Sequence, residues 1–408
     1  MMTIATALAS LIRAIFHHQA PTASTKAPRA PADKARPITG PVAETTTENE
    51  PAKPVGRRVP KPKKKRLPKT FEDSLKSGDL AELKAIFATH DLDARGGYAN
   101  QTALAFNDCP DELARWLVAE GADLMATDTR GNTPLHTRSR HWQGRINVLL
   151  DLGADPNAGS ASNATPLHAA AEGYHPANVR LLLDRGAQVD ALNGSGLTPL
   201  ELALRGCSNN QLIRMVPLAE TLLAAGAQKT PRMKTFITAL GQAFEFHRSN
   251  FNADSLDATV AALERLYVLF DVPPVQRRIV HDGVSPIVVP PAPWPEQHKA
   301  LWDLLVPSSG SAATVQGEVI RISGRISIEI QDNGGANWDA DYRKMAAAFP
   351  AHIQTGDPAS PDAIDQATAI IAQLKSGVGD TDRLLELAVI WVQANPVPVP
   401  LPPPPYKR

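Results

Sequence analysis

Residues 165–193 read TPLHAAAEGYHPANVRLLLDRGAQVDALN and contain one complete helix-turn-helix unit. Thr165 and Pro166 predict a helix start, because a threonine hydroxyl caps backbone N–H groups and proline at the first helical position gives up only an N–H without a partner. A second helix is predicted to bury the leucines at 181–183 and to end at Gly186, which can take the left-handed conformation that closes a helix. The chain then turns outward and begins the next unit.

Partial copies of this unit flank it on both sides. A threonine-initiated phrase recurs at spacings of 31, 32 and 33 residues, and a Gly-Ala phrase recurs in step with it. The first phrase begins at Thr102, Thr133, Thr165 and Thr198, and the second begins at Gly121, Gly153, Gly186 and Gly226. Two phrases that repeat together at about 33 residues are the signature of a stacked solenoid.

The cap, the helix pair, the glycine stop and the period together resemble the ankyrin repeat. The resemblance implies an all-α ankyrin-repeat solenoid of about five repeats over residues 71–230, opened by FEDSLKSGDLAELKAIF at 71–87. Helices predicted at 233–247 and 256–270 form a helical cap (231–271), because the last repeat otherwise leaves an apolar face in water. Past its N-terminal arm the chain also resembles bacterial proteins known only to contain ankyrin repeats.

The copies differ in length. From the threonine to the glycine stop, the units at Thr102, Thr133 and Thr165 span 19, 20 and 21 positions, whereas the unit at Thr198 spans 28. Shortening must be absorbed between the two helices of a unit, and the extra length around 207–215 predicts longer helices or an added loop at one edge of the stack. We also expect altered packing near Arg138 and Trp142, which replace smaller residues of the usual pattern.

Charge is unevenly distributed. Residues 1–70 hold 14 Lys/Arg and 4 Asp/Glu of the 42 and 42 in the chain, which leaves 28 and 38 for the rest. The acidic balance of the remainder argues against a general nucleic-acid surface there. Cys109 and Cys207 are the two cysteines and form no disulfide framework, so we expect a reducing, cytoplasmic location.

The N-terminal arm precedes the repeats. Residues 1–20 carry an apolar stripe at helical spacing and predict an amphipathic helix that docks on this protein or a partner, with a membrane interface or a cleaved signal as alternatives. Residues 21–70 are rich in Pro, Ala and Lys and predict a disordered linker. Its basic run at 62–66 (PKKKR) is either a solvated charge run or a nuclear-import-like signal, and the latter would suit a secreted bacterial effector with an export arm.

The part after the cap predicts a Pro-rich connector (272–293), a C-terminal helical module (294–395) and a loose Pro-rich tail (396–408). The segments 294–305, 312–330, 338–353, 361–375 and 382–394 predict four or five helices. Asn337 is predicted to cap the third of these helices. Glu318 predicts an ion pair with Arg321 or Arg325 on one helix face, and a contact site formed by Gln316, Glu318, Arg325 and Trp338 is the alternative.

No pattern of an enzyme is present in the chain, so we expect neither catalysis nor a metal or other cofactor. His136 and His168 each occupy the fourth place of the repeated phrase, which indicates a structural bond to the neighbouring turn. His281 and Asp282 are an acid-base pair only if a nucleophile accompanies them, and their sequence favours a turn.

The expected function is a non-enzymatic protein-protein interaction scaffold, with a regulatory or immunity-type binder as its narrower form and no small-molecule substrate. The resemblance to ankyrin repeats implies that the turns of the repeats project as fingers beside a curved groove. Transferred to this chain, the partner-binding positions are Tyr98, Asn100, Thr129, Arg130, Asn132, Ser162, Asn163, Gly194 and Ser195, continued by Arg138, Arg140, His141 and Trp142. Trp142 is either a binding hot spot or a filler of the volume that the shortened repeat leaves.

Overall fold

The computed structural model describes residues 62–374 and 379–407. The predicted N-terminal helix and residues 21–61 of the predicted linker lie outside the described residues. The remainder of that linker is not disordered, which corrects the prediction. Its strand β1 (Lys64–Arg66) pairs in parallel with β2 (His90–Gly96), and Leu67 is buried. Main-chain pairing needs no apolar side chains, so composition alone did not reveal it.

Five repeat units and a cap form the predicted solenoid. The first finger is closed by β2 and β3 (Gln101–Thr102), which pair antiparallel. In chain order, the helices of the units are α1 (Phe71–Ser77) and α2 (Leu80–Thr89), a 3₁₀ turn (Ala103–Ala105) and α3 (Asp111–Ala119), α4 (Pro134–Arg140) and α5 (Asn147–Asp151), α6 (Pro166–Glu172) and α7 (Pro176–Asp184), and α8 (Pro199–Gly206) and α9 (Leu212–Ala224). The cap consists of α10 (Pro231–His247) and α11 (Ala253–Phe270).

A single apolar core runs through the stack and its cap. The second helix of every unit contributes a leucine without solvent exposure: Leu83, Leu113, Leu149, Leu182 and Leu218. Each unit therefore buries its apolar face against its neighbours, as a solenoid requires. The predicted all-α ankyrin-repeat architecture is confirmed.

The Thr-Pro-Leu-His phrase joins successive units. His136 Nδ1 lies 2.8 Å from the Thr133 hydroxyl, and its Nε2 lies 2.8 Å from the carbonyl oxygen of Ala164 in the next finger. His168 repeats both contacts with Thr165 and Leu197. Burial lowers the pKa of both histidines, which keeps the rings neutral. The structural interpretation of these histidines is confirmed.

The C-terminal module has its own apolar core around a central helix. Its helices are α12 (Trp294–Leu305), α13 (Val315–Gln331), α14 (Ala340–His352), α15 (Pro361–Leu374) and α16 (Thr381–Ala394). Helix α13 packs against α12, α14 and α16 and buries Val315, Val319, Ile322 and Ile326. None of the helices in the described part of the chain is both long and apolar enough to cross a membrane.

The proline-rich tail is held against α13, which corrects the prediction that it is loose. The Gln316 amide donates to the carbonyl oxygens of Asn395 and Val397 and accepts from the Val399 N–H. The Tyr406 hydroxyl lies 2.7 Å from a carboxylate oxygen of Glu318. Proline-rich backbone cannot build its own hydrogen-bonded ladder, so buried side chains of α13 satisfy it instead.

Two further predictions for this module are wrong. Gln316 and Glu318 have no solvent exposure, so they form no contact site; Glu318 instead forms the predicted ion pair with Arg321, at 2.6 Å. Asn337 does not cap α14, because its backbone N–H and side-chain amide both donate to Glu329. Asp339 caps that helix by accepting from the Tyr342 N–H at 2.9 Å.

Candidate binding surfaces

Four turns project from the stack as a row of fingers, at residues 97–100, 128–132, 160–164 and 193–197. The first turn is closed by the β2–β3 pair, and the other three are closed by their own polar residues Asp128, Ser160 and Asn193. Asp128 Oδ1 accepts from the backbone N–H groups of Arg130 and Asn132, at 2.8 and 2.9 Å. Asn100 and Asn163 take left-handed backbone angles, with φ of 53° and 54°, which asparagine tolerates better than most residues. The turn shapes are therefore determined locally.

Neighbouring fingers are joined through their main chains. Thr129 donates both its N–H and its hydroxyl to the Ala99 carbonyl oxygen, at 3.1 and 3.0 Å. The Gly194 N–H donates to the Ser162 carbonyl oxygen at 2.7 Å. Gly131 lies so close to the third finger that a Cβ there would meet the Ala161 backbone nitrogen at 2.6 Å. The fingers are thus a preformed row.

The predicted finger residues differ in what they offer to a partner. Tyr98 is 95% exposed, and Arg130, Ser162 and Asn163 are also exposed. Asn132 is half-buried and donates its side-chain amide to Asp128, so it mainly supports the turn. Asn100 is exposed, but its main chain is engaged with Gly97 and Arg95. Tyr98 and Arg130 are therefore the large exposed side chains of the predicted finger set.

The other predicted residues do not continue the finger surface. Arg138 and Arg140 lie in the last turn of α4, and His141 and Trp142 follow it. This helix has seven residues and is about 10 Å long, whereas the finger 128–132 precedes its N-terminal end. Arg138 is buried, which corrects its placement on a binding surface; its guanidinium donates to the carbonyl oxygens of Arg145 and Cys109. Arg140 is exposed and pairs with Glu172 at 2.6 Å.

Trp142 lies in the loop between α4 and α5 and is 72% exposed. The interpretation of this residue as a buried filler is therefore wrong. The His141 ring is stacked against it, with ring centroids 6.3 Å apart and an interplanar angle of 26°. The loop turns tightly, because a Cβ on Gly144 would meet the Arg138 carbonyl oxygen at 1.7 Å. A large aromatic surface consequently faces solvent on a constrained loop.

An open groove of about 660 Å³ adjoins Trp142, and we call it the loop-end groove. Three successive repeats line it: Trp142 from the third, Tyr174, His175 and Pro176 from the fourth, and Ile213, Arg214 and Pro217 from the fifth. Of these seven residues only Trp142 was predicted from the sequence as a contact residue. Ile213, Arg214 and Pro217 belong to the first half of α9, where the extra length of the Thr198 unit was recognised without a role. The extra length of the Thr198 unit was the feature of the sequence that could have indicated these three residues.

The bottom of the groove is held by contacts between adjacent repeats. His175 Nε2 lies 2.9 Å from the Arg140 carbonyl oxygen, and the Tyr174 hydroxyl donates to the Ala203 carbonyl oxygen at 3.0 Å. Burial lowers the pKa of His175, and the positive charges of Arg214 and His141 lower it further, although its bond to Arg140 opposes the change. The imidazole rings of His141 and His175 and the guanidinium of Arg214 are thus close together at this end of the stack.

The remaining chemical candidates have structural contacts. Asp282 accepts from the N–H groups of Val284 and Ser285 and from the Ser285 hydroxyl, which lower its pKa to about 2. The Gly283 N–H donates to His281 Nδ1. The pair therefore closes a turn, as predicted. Within residues 62–374 and 379–407, no three His, Cys, Asp or Glu side chains are grouped as metal ligands would be.

The family model described as ankyrin repeats in three copies matches residues 101–193 and 139–232. The chain therefore contains ankyrin repeats, which are a protein-protein interaction module. The matched segments include three of the four fingers and all residues that line the loop-end groove, whereas the C-terminal module lies outside them. A search of curated proteins finds no match to the chain.

Proposed function

We propose that this chain is a non-enzymatic scaffold that holds a protein partner on its row of fingers. The single observation that carries the proposal is the preformed finger row, in which main-chain bonds fix neighbouring turns while Tyr98 is 95% exposed and Arg130 is also exposed. Tyrosine and arginine are the side chains most often found at the centres of protein interfaces. A fixed backbone also lowers the entropic cost of ordering the surface on binding.

Binding suits the described chemistry better than catalysis does. The polar groups of the fingers are used to close turns and to join repeats, and the buried histidines of the repeats bond to carbonyl oxygens of the next finger. His136 and His168 have both ring nitrogens bonded within the fold, which leaves neither nitrogen in hydrogen-bond reach of a substrate proton. A regulatory or immunity-type binder would hold its protein partner on the same surface.

The test compares affinity capture by the full chain with capture by a Tyr98→Ala/Arg130→Ala double variant. We expect proteins that bind the wild-type chain to be reduced about tenfold or more on the double variant, since such anchors typically contribute 1–2 kcal/mol each. Melting temperatures should be unchanged, because both side chains are exposed. Val268→Ala is the matched control, since Val268 is 71% exposed on the cap.

Equal capture by the wild-type chain and the double variant would refute the proposal. Loss of capture on the control variant as well would show that retention is nonspecific. One captured protein is then purified separately, and its dissociation constant for the wild-type chain and for each single variant is measured by isothermal titration calorimetry. The differences give the contribution of each finger side chain.

A further inference from the structure

The loop-end groove lies where the repeats depart from their common length. The third unit is shortened, so α5 has five residues and the chain before it forms the loop that carries Trp142. The fifth unit is lengthened, and its thirteen-residue α9 begins with the segment that carries Ile213 and Arg214. The regular fourth unit lies between them and supplies His175 and Pro176. Irregular repeats on both sides of a regular one thus create the recess.

Four of the seven residues that line the groove are apolar. Trp142 is 72% exposed and Ile213 is 47% exposed, and Pro176 and Pro217 are the other two. These side chains could be buried by a partner segment at a gain of about 25 cal/mol for each Å² removed from water. Tryptophan, like tyrosine and arginine, is enriched at the hot spots of protein-protein interfaces.

The seven residues that line the groove include Arg214 and no Asp or Glu. The segments 138–145 (RSRHWQGR), 173–176 (GYHP) and 211–217 (QLIRMVP) contain four arginines and two histidines and no Asp or Glu, although the chain beyond residue 70 is acidic. Arg145 and Arg214 are exposed, and Arg140 is paired with Glu172, a residue outside the groove lining. Glu172 directly precedes the segment 173–176 and is the carboxylate beside these segments, and it is already paired with Arg140.

Two helix ends add to this field. Helices α7 and α9 begin at Pro176 and Leu212, next to the groove, and their N-terminal ends carry partial positive charge. The surface therefore combines apolar side chains with Arg214 and two helix N-termini, which is complementary to a negatively charged segment that bears apolar side chains.

From this charge complementarity we propose that the loop-end groove binds an acidic peptide segment of a protein partner, anchored by an aromatic or leucine side chain against Trp142. This surface lies at the opposite end of the inner helices from the fingers. Its occupancy does not depend on the finger proposal, so the two can fail separately.

The test uses a random dodecapeptide library displayed on phage and selected against the full chain, immobilised by its N-terminal arm. We expect selected peptides to carry several Asp or Glu residues around a Trp, Phe or Leu. One selected peptide, synthesised with a fluorescent label, should bind Trp142→Ala and Arg214→Glu about tenfold more weakly than the wild-type chain by fluorescence anisotropy. Tyr98→Ala and Arg277→Glu, which change exposed residues elsewhere, should bind it within about twofold of wild type.

A charge exchange separates recognition from misfolding. The same peptide with its acidic residues changed to lysine should bind Arg214→Glu better than it binds the wild-type chain. Selected peptides without acidic residues, binding unaffected by Trp142→Ala or Arg214→Glu, or failure to select any peptide would overturn the proposal. Tighter binding of labelled oligo(dT) than of the acidic peptide would also overturn it, in favour of a nucleic-acid ligand.

Discussion

His298 is a buried polar residue whose protonation state matters for the stability of the C-terminal module. His298 is 1% exposed in the core of the C-terminal module, and its Nε2 lies 2.9 Å from the Ser323 hydroxyl. Its ring is also stacked on Trp302. Burial lowers the pKa of His298 to about 3, although a bond to the Ile320 backbone opposes the change. The neutral ring is therefore a condition for packing of this core.

This residue predicts loss of stability in acid. Unfolded His298 titrates near 6.5, so between pH 6.5 and about 3 the unfolded chain takes up a proton that the folded chain excludes. The contribution is present above pH 6.5 and is lost as pH falls; at pH 5 the loss is about 2 kcal/mol. Urea unfolding at pH 7 and pH 5 should show a smaller loss for His298→Gln than for wild type, by about that amount. Equal losses in the two proteins would contradict the prediction, since the other histidines are common to both.

At the scale of elements, helices and tail are joined by buried polar groups of α13. Burial opposes ionisation of Glu318, but hydrogen bonds and the positive charge of Arg321 outweigh it and lower the pKa of the carboxylate. Tyr406 and the Ala312 N–H supply further bonds to the same carboxylate. Gln316 uses its whole amide on the tail backbone. The tail is thus a structural part of the module rather than an appendage.

Truncation after Asn395 should therefore destabilise the C-terminal module. The free energy of unfolding is expected to fall by about 3–5 kcal/mol, because buried Gln316 and Glu318 lose partners that nothing replaces. Tyr406→Phe removes one of these bonds and should cost about 1–3 kcal/mol. Urea unfolding followed by tryptophan fluorescence measures both changes. A chain that ends at Tyr406 is the control; unchanged stability after truncation at Asn395 would show that the tail is not structural.

At the scale of the whole molecule, two apolar cores meet at Arg278. Its guanidinium lies 4.3 Å from the ring centroid of Phe246 in α10. It donates to the Phe246 carbonyl oxygen on one side and to the carbonyl oxygens of Trp302, Asp303 and Val306, at the end of α12, on the other. Phe246 itself packs in the second core, stacked on Trp302. Arg278 and Phe246 are therefore central to the junction between the cap and the C-terminal module, which Ser249–Ser308 and Asn250–Ser309 hydrogen bonds also join.

Arg278→Ala should loosen this junction and leave the repeats intact. We expect faster hydrogen exchange at the ends of α10 and α12, by about tenfold or more, because four carbonyl groups lose their donor. Exchange in α6 and α7 should be unchanged. Hydrogen-deuterium exchange read by mass spectrometry measures both regions, with Arg277→Ala as the matched control. Uniform exchange in the variant and wild type would show that the junction does not depend on Arg278.

The features that depend on residues close together in the chain were predicted correctly from the amino-acid sequence. Thr165, His168 and Gly186 predicted where helices start, join and stop, because capping and left-handed closure act within about four residues. Their period of about 33 residues predicted the stack, because identical units that cannot bury their own apolar faces must pack together. The order of repeats, cap and C-terminal helices followed from the same local patterns.

Which side chains face solvent could be seen only once the repeats were packed together. Arg138 is buried and Trp142 is exposed, although they are only four positions apart in the chain. Burial depends on how the adjacent repeats fill the space around each side chain. Trp142, His175 and Arg214 belong to three different repeats and come together only when the irregular third and fifth units stack on the fourth. The proline-rich tail likewise became ordered through partners such as Gln316, which lie far from it in the chain.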